Sequence, residues 1–259
     1  MRITYIDTET VNYWAKRWHA IEVDSPMLNT NIYPLKYALK SVKSKEEKIL
    51  EAGCGLGRIL RYFHEKNYII EGIDYITEAI DKLQKVDPTL KVSKQDIKKL
   101  DFEENYFDVI LAFGLFHGLE NGLEKSLNET RRVLKTGGTL CVSFRADNLQ
   151  NRINDFLNWF SSKNKFKKKK FFHKINLSKS EFIKLLNKSN FNVISCENVV
   201  NMPLLYKFKL FRSIKHYNFN ENLAREEGYK LSLIGNIIQA LLIKFFPNQF
   251  CNIFVAICN

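Results

Sequence analysis

The strongest constraint on this chain is a rhythm of short, nearly unbroken apolar runs separated by stretches of helical periodicity. The runs are Lys48 to Ala52, Tyr68 to Ile73, Leu90 to Ser93, Tyr106 to Ala112 and Thr139 to Phe144. Between them, Ile59 to Lys66, Thr77 onward and Leu123 to Leu134 read as helices, with Thr77 as a predicted N-cap. A strand that is apolar on both faces must be covered on both faces. Repeated β-α units of this kind predict an α/β fold, a doubly wound and mostly parallel sheet with helices on either side. The rhythm breaks after Arg145. Residues 150–176 are polar, Ser178 to Glu181 reads as a capping box, Phe191 to Val200 as a strand, Leu231 to Phe246 as an apolar helix and Gln249 to Cys258 as a last strand. The expected organisation is one domain over 1–259. An N-terminal helical arm (1–44) precedes a core (45–148), and two insertions (149–177 and 201–246) form a lid.

Composition narrows the class. The chain has 259 residues, 40 Lys+Arg against 28 Asp+Glu, and so a formal charge of +12. Such a basic surface invites acidic partners. Six lysines fall between Lys163 and Lys170, with one Phe among them. A lysine run of this kind is a solvated loop or a binder of phosphate or anionic lipid, and it has too few aromatic residues for stacking on single-stranded RNA. Cys54, Cys141, Cys196, Cys251 and Cys258 form no C-x-x-C pair, and no metal is expected. An acid, Asp7, stands where a secretion signal would be apolar. The expectation is a cytoplasmic protein, at most peripheral to the inner membrane, as a monomer or homodimer.

The first strand runs into Glu51-Ala52-Gly53-Cys54-Gly55-Leu56-Gly57-Arg58. Glycines at a strand-to-helix turn let a ligand approach main-chain N–H groups. The spacing is G-x-G-x-G, and Arg58 occupies the third glycine position of the dinucleotide fingerprint, which disfavours a nicotinamide or flavin cofactor. Asp74 ends the second strand beside this loop, where a carboxylate accepts ribose hydroxyls, although Asp also favours N-caps. Asp96, after the third strand, is placed for an adenine amino group or for solvent.

These stretches, together with Phe107 to Ala112, Phe116 to Leu119 and Arg132 to Leu140, resemble in order the motifs of class I S-adenosylmethionine-dependent methyltransferases. The likeness is to the small-molecule, type 11-like group. It is strong over residues 45–145 and moderate over 178–200 and 248–258. It implies a Rossmann-like sheet of seven strands with the last antiparallel, and S-adenosyl-L-methionine as cofactor, leaving as S-adenosyl-L-homocysteine. It further implies that Glu51, Gly53, Cys54, Gly55 and Gly57 hold the methionine end. Asp74 would take the ribose, Tyr75 and Ile76 would lie against adenine, Asp96 and Ile97 at its edge, and Ala112 near the ammonium. Trp14 and Arg17 sit in an aromatic segment that many relatives fold over the cofactor, though such a segment also serves to anchor an arm. The sequence departs from the family at Gly118, often a second His, and at Thr136, often Pro.

Methyl transfer to a hydroxyl calls for a general base. His117, after the fourth strand, is the candidate. A structural role under the loop is the competing reading. Arg145, Asp147, Asn148, His216 and Tyr217, with His173, are candidates for contact with a small-molecule acceptor, most simply a hydroxyl of a sugar or other metabolite. An RNA or protein acceptor rests on charge alone, and Ala112-Phe113-Gly114-Leu115 stands where an Asn/Asp-Pro-Pro-Tyr motif would support nucleic acid. The Leu231–Phe246 helix keeps a lipid- or quinone-type acceptor open. A cofactor-binding module without turnover is the non-enzymatic reading.

Overall fold

A computed structural model describes residues 1–23, 26–161 and 170–259, so Lys163, Lys165, Lys167, Lys168 and Lys169 lie outside the described residues. The chain opens with β1 (Arg2–Ile6), α1 (Thr10–Ala20) and α2 (Leu35–Ser41). The alternation follows as β2 (Ile49–Ala52), α3 (Arg58–His64), β3 (Ile70–Asp74), α4 (Thr77–Val86), β4 (Val92–Lys94), β5 (Phe107–Ala112), α5 (Leu123–Val133) and β6 (Leu134–Arg145). Then come α6 (Leu149–Ser161), β7 (Phe171–Asn176), α7 (Lys179–Lys188), β8 (Val193–Val199), α8 (Glu221–Glu227), α9 (Leu233–Phe245) and β9 (Ile253–Cys258).

Seven strands form one sheet in the order β4-β3-β2-β5-β6-β9-β8. Pairing is parallel up to β6, and β9 runs antiparallel to both β6 and β8. The sheet is the α/β, Rossmann-like one expected. Its strands are buried on both faces by strict alternation. Leu50, Ile110 and Ala112 join one core, and Ile49, Val109 and Leu111 join the other. The strand order reverses between β2 and β5, which opens a crevice at their carboxyl ends, where ligands of such sheets bind.

The structure differs from expectation in three places. The arm is not wholly helical, because β1 pairs antiparallel with β7 in a separate two-stranded ribbon. Its partner lies about 170 residues away in sequence, and its five residues are too few to betray a period. Thr77 is the first residue of α4 rather than its cap, and no side chain caps that helix. Asp74 takes the Ile76 N–H at 2.9 Å instead. Finally, α9 is not buried as such apolar helices usually are, but turns one apolar face outward. Gly235 and Gln239 are its buried residues, while Leu233, Ile234, Ile237, Leu241 and Phe245 are exposed. Gly235 is the reason, since a Cβ there would lie 2.7 Å from the Phe211 carbonyl oxygen. Only glycine permits that approach, and Gln239 is buried one turn on, while Asn236 and Lys244 stay exposed.

Candidate cofactor and acceptor site

The loop from β2 to α3 is built by its glycines. Gly53, Gly55 and Gly57 have φ of +75°, +52° and +67°, a region where other residues are strained. The Gly53 and Cys54 N–H groups donate to the Ile73 carbonyl at 2.8 and 2.9 Å, which stitches the loop to the end of β3. Asp74, the next residue, accepts from the Gly55 N–H at 2.9 Å. The acid at the tip of the second strand thus holds the loop as well as facing the crevice.

Two carboxyls, Glu51 buried and Asp74 half-buried, share this corner. Glu51 accepts from the Leu60 N–H of α3 at 2.7 Å. Burial pushes its pKa up to about 8, opposed by that hydrogen bond and reinforced by the Asp74 charge. Burial also raises Asp74, against the pull of three backbone N–H groups. A ligand that brings a cation or hydroxyl donors relieves both groups.

The loop opens into a cavity of about 840 Å³. Glu51, Gly53, Cys54, Gly55, Asp74, Tyr75, Ile76, Asp96 and Ile97 line it, as do Trp14, His117 and His173. Asp96 is held by an Asx turn, its carboxylate accepting from the Lys98 N–H at 2.9 Å. The roof is α1. Trp14 and Trp18 stack with centroids 5.3 Å apart, and a Cβ on Gly55 would lie 2.8 Å from the Trp18 ring. Lys82 of α4 pins the end of that roof by donating to the carbonyls of Trp18, His19 and Ile21 at 2.7–2.9 Å. Trp18 was not singled out in the sequence. Its i, i+4 spacing from Trp14 was the available signal, because it puts both rings on one helical face.

Basic residues also line the cavity. His117 sits in a 3-10 turn after β5, and His173 and Lys174 come from β7. Lys174 donates to Asp155 at 3.1 Å, and its pKa falls to about 8 through burial and the Arg145 charge. Burial and the same cations hold His173 near 4 and His117 well below the ordinary histidine value. Both imidazoles are neutral at pH 7. The His117 Nδ1 is buried and finds no hydrogen-bond partner among the described residues. Arg145 donates to Asn151 at 3.1 Å, while its Nε is likewise buried and unpartnered among those residues.

The other expected residues lie outside the cavity lining. Gly57 serves packing, since a Cβ there would lie 2.7 Å from Leu83 of α4. Ala112 is buried at the end of β5. Arg17 pairs with Glu221, tying α1 to α8. Asp147 pairs with Arg2 at 2.8 Å and Arg152 at 3.1 Å. Asn148 donates to the carbonyls of Asn248 and Cys251 at 3.0 and 2.9 Å. Arg145 acts on the lining only through its charge. His216 is buried against the Tyr206 hydroxyl at 3.1 Å and Glu227 at 3.6 Å, and Tyr217 is exposed beneath Lys209. Asp147 and Asn148 follow β6 as expected, but their partners Arg2, Asn248 and Cys251 come from distant segments that no local pattern shows.

A pair of acids beside a glycine loop at the switch point of a doubly wound sheet is the arrangement in which Rossmann-like folds hold nucleoside cofactors. Residues 50–142 match a family model described as a methyltransferase domain. The chain is 32% identical over 79 residues to an uncharacterized methyltransferase of Schizosaccharomyces pombe, covering 29% of this chain and 54% of that protein. It is 35% identical over 107 residues to the ubiquinone/menaquinone biosynthesis C-methyltransferase of Neisseria meningitidis, covering 38% of this chain and 42% of that protein. It thus spans about half the length of the curated relatives it matches. Among solved structures, the complex between the Haloferax volcanii Trm112 methyltransferase activator and a methyltransferase is similar with a TM-score of 0.61 and 14% identity. That match covers 96% of this chain and 95% of the other. A SAM-dependent methyltransferase of Methanosarcina mazei gives a TM-score of 0.58 at 16% identity, over 88% and 97% of the two chains. Residues 50–142 thus form a methyltransferase domain of the class I S-adenosylmethionine-dependent kind, a family that uses S-adenosylmethionine as cofactor.

Proposed function

We propose that this protein methylates a small-molecule acceptor at a hydroxyl, as of a sugar or other metabolite. The observation that carries the reading is one continuous cavity lined both by the glycine loop, Glu51, Asp74 and Asp96 and by His117 and His173. S-adenosylmethionine supplies the methyl group from its sulfonium. On this reading Asp74 takes the ribose hydroxyls. Glu51 and the Gly53–Gly55 backbone take the methionine end, where an ammonium lets Glu51 ionise. Tyr75, Ile76, Asp96 and Ile97 border the adenine. Trp14 and Trp18 exclude water over the loop. His117, neutral and with its Nδ1 buried, accepts the hydroxyl proton. Arg145 and Lys174 behind and beside it favour an acceptor that carries an acidic group. Such a group would offset their charge and raise the basicity of His117 in the loaded site.

The test is calorimetric titration with S-adenosylmethionine and S-adenosylhomocysteine, followed by methyl-transfer assays on hydroxyl acceptors with and without a carboxylate or phosphate. Asp74→Ala is expected to lower cofactor affinity by about a hundredfold, the value of one or two charge-assisted hydrogen bonds. Absence of binding by the unaltered chain overturns the proposal. Binding without turnover on any such acceptor favours the non-enzymatic module. His117→Asn is expected to cut kcat by roughly 10²–10⁴-fold with a hydroxyl acceptor while sparing cofactor affinity.

A further inference from the structure

We propose that the surface formed by the end of α6, the 207–214 turns and α9 seats the protein on an anionic phospholipid bilayer. The apolar face of α9 is turned outward over three turns. Leu233, Ile237 and Leu241 follow at i, i+4 and i+8, and Leu233 is 77% exposed. Gly235 and Gln239 occupy the buried side. A helix ordinarily turns its apolar stripe to the core, so this one is arranged for an apolar medium outside the protein.

Neighbouring segments extend the face. The Ser232 N–H donates to the Phe211 carbonyl at 2.8 Å and the Ser213 N–H to that of Lys230 at 3.1 Å, which lays the 207–214 turns against the start of α9. Leu210 and Ile214 on those turns are 81% and 97% exposed. Lys207 donates to Asn158 at 3.1 Å and brings in the end of α6, where Phe156, Trp159 and Phe160 are exposed. Aromatic residues of this kind sit at the headgroup level of membranes.

Charge selects the occupant. Residues 204–216 and 230–250 contain no Asp or Glu, while Lys207, Lys209, Arg212, Lys215, Lys230 and Lys244 all fall within them. The one acid of α6, Asp155, is turned inward to Arg2 and Lys174. Lys215 is paired with Glu227, and the remaining cations beside an apolar face complement anionic headgroups over acyl chains. A second copy would set the same lysines against one another. No helix among the described residues is long and apolar enough to cross a membrane, so the contact is one of lying on the surface.

The experiment is co-sedimentation of the full chain with vesicles of phosphatidylcholine alone and of phosphatidylcholine with phosphatidylglycerol. Binding is expected on the anionic vesicles, with a blue shift of tryptophan emission that Trp159→Phe removes. Leu233→Gln with Ile237→Gln should weaken binding by about tenfold or more. Lys209→Glu with Lys244→Glu should weaken it by about tenfold and remove the preference for anionic lipid. Unchanged affinity for S-adenosylhomocysteine, or an unchanged melting temperature, shows that these variants are folded. Absence of sedimentation with either vesicle overturns the proposal, as does unaltered binding of the α9 variant. A concentration-dependent dimer that the α9 substitutions abolish overturns it too, in favour of a second copy.

Discussion

Glu51 shows how burial fixes the chemistry of a single residue. Its carboxyl ionises near 4.5 in the unfolded chain and near 8 in the folded one, with burial as the first cause. Below 4.5 both states are protonated and the group is neutral to stability. As pH rises between the two values the unfolded chain gives up its proton first, so stability falls, and above about 8 the whole penalty is in place. Glu51→Gln keeps an acceptor for the Leu60 N–H and removes the charge. The expected result is a variant whose melting temperature exceeds that of the parent at pH 8.5, with the difference vanishing at pH 4. The same variant should bind S-adenosylmethionine more weakly. Thermal melts across pH, with and without cofactor, check both. Gly55 makes the complementary case for space. Its φ of +52° and the Trp18 ring 2.8 Å from a Cβ both oppose a side chain. Gly55→Ala is expected to lower stability by about 1–3 kcal/mol and to displace the tryptophan roof, which a change in tryptophan emission would report.

At the scale of elements, the site depends on helices being fastened. The Ser178 side chain and Glu181 close a reciprocal capping box on α7, as Ser178 to Glu181 predicts. Ser178→Ala should cost about 1 kcal/mol in a denaturant titration, with no effect on cofactor affinity. The roof helix α1 is fastened differently, through the single ammonium of Lys82 on three carbonyls. Orphan carbonyls at a helix end favour such a cation. Lys82→Met is expected to leave the seven-stranded sheet intact while weakening cofactor binding, because Trp14 and Trp18 lose their hold over the loop. Hydrogen exchange confined to faster opening of α1 would bear this out, and uniform loss of protection would contradict it.

Across the whole molecule, the cavity gathers acids and cations from different elements. The acids at the β2 and β3 tips belong to the sheet, whereas the cations come from β6 and from the ribbon of β1 with β7. Arg2 links that ribbon to Asp147 and Asp155, each at 2.8 Å. Much of this was legible beforehand. Apolar runs buried on both faces left a covered parallel sheet as the outcome, and a glycine loop followed by Asp74 marked the crevice, because those signals are local and periodic. The residues expected at the acceptor fared differently. Asp147 and Asn148 follow β6 as expected, yet are claimed by Arg2 and Asn248 far along the chain, and His216 is taken up by Tyr206 and Glu227 of its own insertion. The sequence by itself thus determined the sheet, its order of elements and the cofactor corner, since these follow from backbone propensity and side-chain period over a few residues. Only the tertiary structure decided that β1 closes the site with β7, that Trp18 roofs the loop, that Arg145 stands behind His117, and that α9 faces outward. Each of those depends on which distant group occupies the space beside it, and that is set by packing rather than by local pattern.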